Sequence, residues 1–104
     1  MNQLQLNGVL LERGVMRYTP AGIPIVEGIL SHQSEQLEAG QSRRVECEVK
    51  LLAAGPLALL LTQIPLNAEL NCQGFLAKKN RNSKTLIYHV TELTLESKAQ
   101  SEPH

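Results

Sequence analysis

Strict alternation of side-chain character over residues 43–51 constrains the fold more than any other feature of the chain. Successive side chains of a β-strand point to opposite faces, so a period of two indicates a strand with one face in a core and one in water. The two faces are Arg43, Val45, Cys47, Val49 and Leu51 on one side, and Arg44, Glu46, Glu48 and Lys50 on the other.

Four other segments have strand patterns, namely residues 3–11, 23–30, 68–77 and 85–95. In the first, Gly8 predicts a bend or a bulge, which is typical of barrels rather than flat sheets. Pro20 and Gly22 predict a turn that makes a hairpin of the first two strands. Residues 31–42 are polar and are expected to form a long, mobile loop. Pro56 predicts the start of a helix of two to three turns, which ends before Pro65.

The predicted order is β-β-β-α-β-β, with the short helix between the third and fourth strands. An OB-fold, which is a five-stranded Greek-key barrel, has its helix between those same strands. The order therefore predicts an all-β chain with this fold, although the pattern alone also allows other small barrels. The 104 residues are enough for one domain, predicted over residues 1–96, and residues 97–104 are predicted to be a disordered tail.

Charge balance limits how the chain could hold nucleic acid. Ten basic and ten acidic residues give a net charge of zero, whereas proteins that bind nucleic acid by bulk electrostatics are usually clearly basic. Any such site is expected to be a local patch with modest, salt-sensitive binding. The longest apolar stretch, residues 51–61, is shorter than the roughly 20 residues of a membrane helix. The protein is therefore expected to be cytoplasmic, with no membrane partner.

Residues that usually carry catalysis or hold metals are scarce. The chain has no Asp, and none of the common hydrolase, metalloprotease or phosphate-loop motifs occurs. His32 and His89 are expected to be surface or packing residues. Cys47 and Cys72 lack the spacing of a zinc site and are expected to be small buried residues. We therefore expect no enzyme activity, no catalytic residues, no metal site and no cofactor.

Basic residues cluster in one seven-residue segment that contains no acid, and its cations are Lys78, Lys79, Arg81 and Lys84. The residues between them are Asn and Ser, which suit a turn. In an OB-fold the connection between the fourth and fifth strands flanks the binding face, and four cations there could meet several phosphates. The segment is the first candidate for contact with single-stranded nucleic acid, and a solubilising surface turn is the alternative.

Three arginines are further candidates for nucleic-acid contact, because they lie in segments that line the same face of an OB-fold. Arg17 belongs to the first hairpin, and Arg43 and Arg44 begin the third strand. Glu46 and Glu48 share a strand face with Arg44. They are expected either to repel phosphate or to hold Arg44 in an ion pair.

Aromatic side chains, on which single-strand binders stack bases for ~1–3 kcal/mol each, are few. The chain has Tyr18, Phe75 and Tyr88, and no Trp. Tyr18 and Phe75 are candidate stacking residues, although a place under a loop or in a dimer interface is an open alternative for Phe75. Binding is expected to depend on charge more than on stacking.

The stretch Arg17–Pro24 resembles the hairpin of the primosomal replication protein N (PriB) family, which are dimeric bacterial OB-folds related to single-stranded DNA-binding protein. Shorter matches lie at residues 4–8, 38–40 and 73–75, at Cys47 and at His89, and the similarity spans residues 3 to about 95. The resemblance implies a homodimer that binds single-stranded DNA in replication restart and bridges the primosomal helicase to another primosome assembly protein. It also implies DNA contacts at Arg17, Lys78, Lys79, Arg81 and Lys84.

Three positions depart from the family's better-known members. Gln41 stands where they carry an aromatic residue, Glu46 where they have Trp, and Gln33 where they have a basic residue. The connection between the fourth and fifth strands is also two residues shorter. We therefore expect weaker DNA binding than in those members, with contacts to proteins carrying more of the function. The first strand, with its polar face outward, is expected to pair with its symmetry mate.

Overall fold

A computed structural model describes residues 1–96, and the tail predicted over residues 97–104 lies outside the described residues. The strands and the helix follow the predicted order, with a two-residue strand added in the first hairpin. Their bounds are β1 Leu4–Arg13, β2 Arg17–Tyr18, β3 Pro24–Glu38, β4 Gln41–Ala54, α1 Pro56–Thr62, β5 Glu69–Lys78 and β6 Leu86–Leu95.

Strand pairing closes the sheet into a five-stranded barrel, with β2 attached at its margin. The barrel strands are hydrogen-bonded in the order β1-β5-β6-β4-β3, and β1 also pairs with β3. Neighbours are antiparallel except β4 and β6, which run parallel. Because α1 lies between β4 and β5, the third and fourth strands of the barrel, the predicted OB-fold is confirmed.

Strand β1 changes partner along its length. Residues Leu4–Val9 pair with β5, whereas pairing with β3 begins only at Val9. Gly8 lies at this crossing, where a Cβ would be 2.5 Å from the carbonyl oxygen of Ser31. The glycine that indicated a barrel thus allows a close approach of two backbones. Among residues 1–96, the first half of β1 has a strand on one side only.

The prediction of a long loop over residues 31–42 is wrong. Strand β3 continues to Glu38, β4 begins at Gln41, and the two strands stay paired to this point. Ala39 and Gly40 both have positive φ, 53° and 79°, as the favoured two-residue hairpin turns require. The sequence shows no strand pattern here because residues on both faces are polar. This end of the hairpin extends beyond the barrel, and neither face meets a core.

The core is formed by apolar side chains from all five barrel strands, and α1 covers one end of it with Ala58 and Leu61. In β4, the buried Leu51 lies on the apolar face that alternation predicts. The largest fully buried side chains are Tyr88, Leu10, Leu30, Leu51, Leu61, Leu70, Val26 and Cys72.

Cys72 is buried as predicted, but the predicted burial of Cys47 is wrong. Cys47 lies opposite His32, near the point where β4 leaves the barrel. Further along the same strand face, Leu51 is only 2% exposed. The alternation of β4 is therefore real, but a core lies beneath it only towards the C-terminal end of the strand.

Two titratable groups lie in this core. Burial raises the pKa of the Cys72 thiol from 9.0 to about 11. Burial also raises the pKa of Tyr88 from 10.0 to about 12, with a smaller contribution from the charge of Cys72. The Tyr88 hydroxyl donates a hydrogen bond to the Leu4 carbonyl oxygen at 2.7 Å. Both groups therefore favour their neutral forms in the folded protein.

We expect the free energy of unfolding to fall as the pH rises from about 9 towards 12. Below this range both groups are neutral in the folded and in the unfolded state, and their full contribution to the free energy of unfolding is present. As the pH rises through this range, the unfolded chain loses the thiol proton first, which favours unfolding by up to about 1.4 kcal/mol per unit of pKa difference. Urea unfolding at about pH 8, 9.5 and 11 measures the decline. Cys72→Ala should show a smaller decline, and an equal one would contradict the assignment to Cys72.

Candidate nucleic-acid interface

We call residues 78–84 the basic turn, and the structure places it between β5 and β6, as predicted. Hydrogen bonds within the segment define its shape. The Lys79 N–H donates to the Thr85 carbonyl oxygen at 2.9 Å, and the Ser83 N–H donates to the Asn80 carbonyl oxygen at 3.1 Å. The cations held out by this turn are all exposed: Lys78, Lys79, Arg81 and Lys84.

None of these four cations has a carboxylate partner within ion-pair distance among residues 1–96. In the same range, their one side-chain hydrogen bond runs from the Lys78 ammonium to the Arg81 carbonyl oxygen at 3.3 Å. Charges that the protein does not neutralise remain available to an external anion. Phosphate oxygens form strong, charge-assisted hydrogen bonds with such groups, so the basic turn can bind a nucleic-acid backbone.

The three candidate arginines, by contrast, each form an ion pair with a glutamate. The pairs are Arg17–Glu27 at 2.5 Å, Arg43–Glu38 at 3.0 Å and Arg44–Glu46 at 2.9 Å. Exposed ion pairs are worth at most about 1 kcal/mol, so a phosphate could replace the carboxylate at small cost. Of the two roles expected for Glu46, the structure has the ion pair.

The seven candidate cations do not form one patch. Arg44 lies on the hairpin beyond the barrel, six residues along β4 from Lys50, which is about 20 Å at strand spacing. Arg17 lies on β2, and its partner Glu27 lines the same cleft as Lys79. The structure therefore brings Arg17 towards the basic turn and leaves the hairpin arginines apart from it.

The departures from the family's better-known members all lie on the β3–β4 hairpin, with Gln33 and Glu46 on one face and Gln41 on the other. Gln33 and Glu46 lie directly opposite each other on the β3–β4 hairpin, and Gln41 lies opposite Glu38 beside its turn. All of them are exposed. The hairpin therefore offers amides and a carboxylate at the positions where the resemblance would place a cation and aromatic rings, so it is poorly suited to hold DNA.

Phe75 and His89 lie opposite each other on β5 and β6, and their rings stack with centroids 5.0 Å apart and planes within 5°. Phe75 is 37% exposed and Tyr18 is 63% exposed. Because the imidazole covers one face of Phe75, Tyr18 is the more accessible candidate for stacking. His89 is a packing residue, as predicted, and so is buried His32, whose ring nitrogens both form hydrogen bonds.

Lys50 is a cation that sequence reasoning did not single out. It is exposed, has no ion-pair partner among residues 1–96, and lines the cleft shared by Lys79 and Glu27. The alternation placed it on the charged face of a strand. Its closeness to the basic turn follows only from the pairing of β4 with β6, which no local pattern reveals.

Over the described part of the chain, no three side chains of the types that ligate metals come together. Within residues 1–96, no helix has both the length and the apolar character needed to cross a membrane.

Known proteins resemble this chain in sequence. A family model described as "Another single-strand binding protein family" matches residues 2–92. The replication restart protein PriB of Bordetella pertussis is 47% identical over 92 residues, which cover 88% of this chain and 86% of that protein. The replication restart protein PriB of Nitrosomonas europaea is 41% identical over 91 residues, which cover 88% of this chain and 84% of that protein. Neither family name is that of an enzyme.

Solved structures resemble the chain in fold. PriB from Ralstonia solanacearum has a TM-score of 0.87 at 44% identity, covering 92% of this chain and 98% of that chain. The single-stranded DNA binding protein from Thermus aquaticus has a TM-score of 0.72 at 23% identity, covering 92% of this chain and 50% of that one, and shares the fold. The protein therefore belongs to the family of replication restart protein PriB, among the single-strand binding proteins with an OB-fold.

Proposed function

We propose that this protein binds single-stranded DNA as an accessory of replication restart. The observation that carries the proposal is the basic turn, whose four exposed cations lack acidic partners within residues 1–96. Family membership supports it, because the relatives are named replication restart proteins and the matching family is one of single-strand binding. Phosphates would displace counterions at the basic turn, and Arg17 would exchange Glu27 for a phosphate.

Base stacking and contacts of the hairpin arginines contribute less to DNA binding in this proposal than the basic turn does. Tyr18 lies next to Arg17 and is mostly exposed, so it could take a base beside a bound phosphate. Phe75 offers only the ring surface that His89 leaves open. Arg43 and Arg44 must each release a carboxylate first. The affinity therefore depends mainly on charge, and it is lower than in members with a cationic and aromatic hairpin.

The protein acts in this proposal as a cytoplasmic homodimer that bridges the primosomal helicase and another primosome assembly protein. Strand β1 supports the dimer, because residues Leu4–Gly8 pair with β5 on one side only. An unpaired strand edge can pair with the same edge of a second copy. A dimer would present two basic turns to one strand, and the second contact would then be intramolecular.

Titration of a fluorescent single-stranded oligonucleotide at increasing salt, with the molecular mass measured in parallel, tests this function. We expect the mass of a dimer. We also expect the logarithm of the association constant to fall with that of the salt concentration with a slope of about −3 per copy, since each neutralised phosphate of a single strand contributes about −0.7. Absence of binding even at low salt would contradict the proposal.

A second function is an adaptor that stimulates the helicase and has little DNA affinity of its own. The paired state of the three arginines favours it, because those cations are partly neutralised within the protein. The same titration separates the two functions. The adaptor predicts no measurable oligonucleotide binding at physiological salt, while the protein still increases the activity of the helicase.

A further inference from the structure

Lys50 and Lys79 line one open cleft of about 280 Å³ on the outside of the barrel. Lys50 belongs to β4, whereas Lys79 begins the connection from β5 to β6. Gly14 and Gly28 also line the cleft, and the lack of a side chain at Gly14 leaves it open. At Gly28 a Cβ would lie 2.5 Å from the carbonyl oxygen of Glu12, so this glycine allows the close approach of β1 and β3 in the wall of the cleft.

An isoleucine flanks Lys50 on each side. Ile29 is its direct partner on β3. Ile87 lies beside it on β6, because the next pair along these parallel strands, Leu51 and Tyr88, is in register. Both isoleucines line the cleft. Apolar neighbours strengthen the attraction of an ammonium group to an anion. Ile29, which is partly exposed, also offers a surface against which a base can lie, whereas Ile87 is buried.

The cleft has a positive balance of charge. Besides the two lysines, it is lined by Arg13 and by two carboxylates. The Arg13 guanidinium donates to the carbonyl oxygens of Leu61, in the last turn of α1, and of Ile64, just after the helix, so its position is set by the fold. Glu27, one of the carboxylates, is already paired with Arg17. The cleft therefore has two lysines without ion pairs within residues 1–96 and one remaining carboxylate, that of Glu12.

We propose that this cleft binds one nucleotide of the bound strand, with its phosphate shared by Lys50 and Lys79 and its base against Ile29. The inference rests on the single-strand binding proposed above and deepens it by adding Lys50 to the contact residues. It also gives the strand a path. From the basic turn the DNA crosses β6 and β4 towards Arg17, and it does not follow the β3–β4 hairpin.

The variants Lys50→Gln and Lys50→Arg test this nucleotide site. Each is titrated, as the full chain, with labelled oligodeoxythymidylate at several salt concentrations. We expect Lys50→Gln to bind about three- to tenfold more weakly at low salt and to reduce the magnitude of the salt slope by at most about 0.7, the value for one phosphate contact, because Lys79 still contacts the shared phosphate. Lys50→Arg keeps the cation and should bind as the wild type does. Lys50 is exposed, so both variants should fold.

Binding of Lys50→Gln with wild-type affinity and slope would overturn this inference alone, because the wild type would still bind DNA. A wild type that binds no oligonucleotide defeats the proposed function itself.

A second variant distinguishes a nucleotide bound in the cleft from a long-range electrostatic effect of Lys50. Gly14→Val narrows the cleft without changing its charge, and a Cβ at this position would lie 3.4 Å from the Glu27 carbonyl oxygen. If Gly14→Val binds the oligonucleotide more weakly at an unchanged melting temperature, the nucleotide site in the cleft is supported. Unchanged binding overturns it. If Gly14→Val does not fold, the two Lys50 variants decide.

Discussion

Replacing the four cations of the basic turn with alanine is expected to lower the affinity for single-stranded DNA by roughly 50-fold and to remove most of its salt dependence. Four phosphate contacts account for a slope of about −2.8, so a variant without them should keep only the smaller salt dependence that Arg17 and Lys50 contribute. The fold should survive, because the four side chains are exposed. The variant combines Lys78→Ala, Lys79→Ala, Arg81→Ala and Lys84→Ala.

Anisotropy titrations at three salt concentrations, together with a melting curve, measure this effect. The control is the double variant Arg43→Ala and Arg44→Ala, which also removes cations but from the hairpin, where each is held by a carboxylate. It should change the affinity by less than about threefold, as expected for exposed paired charges. A quadruple variant that binds like the wild type would refute the site. Equal losses in both variants would mean that net charge, rather than the turn, governs binding.

The change Gly74→Ala is expected to lower the free energy of unfolding by about 3 kcal/mol or more. A Cβ on Gly74 would lie 1.8 Å from the carbonyl oxygen of His89 and 2.8 Å from its carbonyl carbon. The pairing of β5 with β6 shifts at this point, and Thr91 is the extra residue of β6. Because both strands also pair with other strands of the closed barrel, they cannot move apart without breaking those pairs.

Thermal unfolding measures this loss as a fall in melting temperature of roughly 15 °C, since 1 kcal/mol corresponds to about 4–8 °C in a domain of this size. Gly14→Ala is the matched control, because its Cβ would lie 3.4 Å from the nearest atom, the carbonyl oxygen of Glu27. The control should lose less than about 1 kcal/mol. A melting temperature of Gly74→Ala within about 3 °C of the wild type would contradict the argument.

The strands could be predicted wherever one of their faces meets the core. Leu51 and Cys72 are buried as alternation requires. Over residues 31–42 both faces are polar, and the same rule has no apolar face to detect, although backbone pairing is complete there. Cys47 shows the related limit, because alternation says which face a residue shares but not whether a core lies beneath it.

The candidate site was predictable where its charges are neighbours in sequence. The basic turn is one run of residues, so its position between two strands was enough to identify it. The partner of Arg17 is ten residues away on another strand, and that of Phe75 is on β6. Lys50 lies near the basic turn only because a parallel pairing closes the barrel. Such contacts depend on tertiary structure, and no local pattern contains them.

The far end of the β3–β4 hairpin has a consequence for how this protein can change over evolution. Its side chains are exposed and make surface hydrogen bonds such as that from the Ser42 hydroxyl to Glu35 at 2.7 Å, so substitutions there cost the folded state little. The cleft beside Lys50 has no such freedom, because its wall at Gly28 has no room for a side chain. New binding partners can therefore be acquired on the hairpin, while the close packing at Gly28 keeps the barrel face as it is.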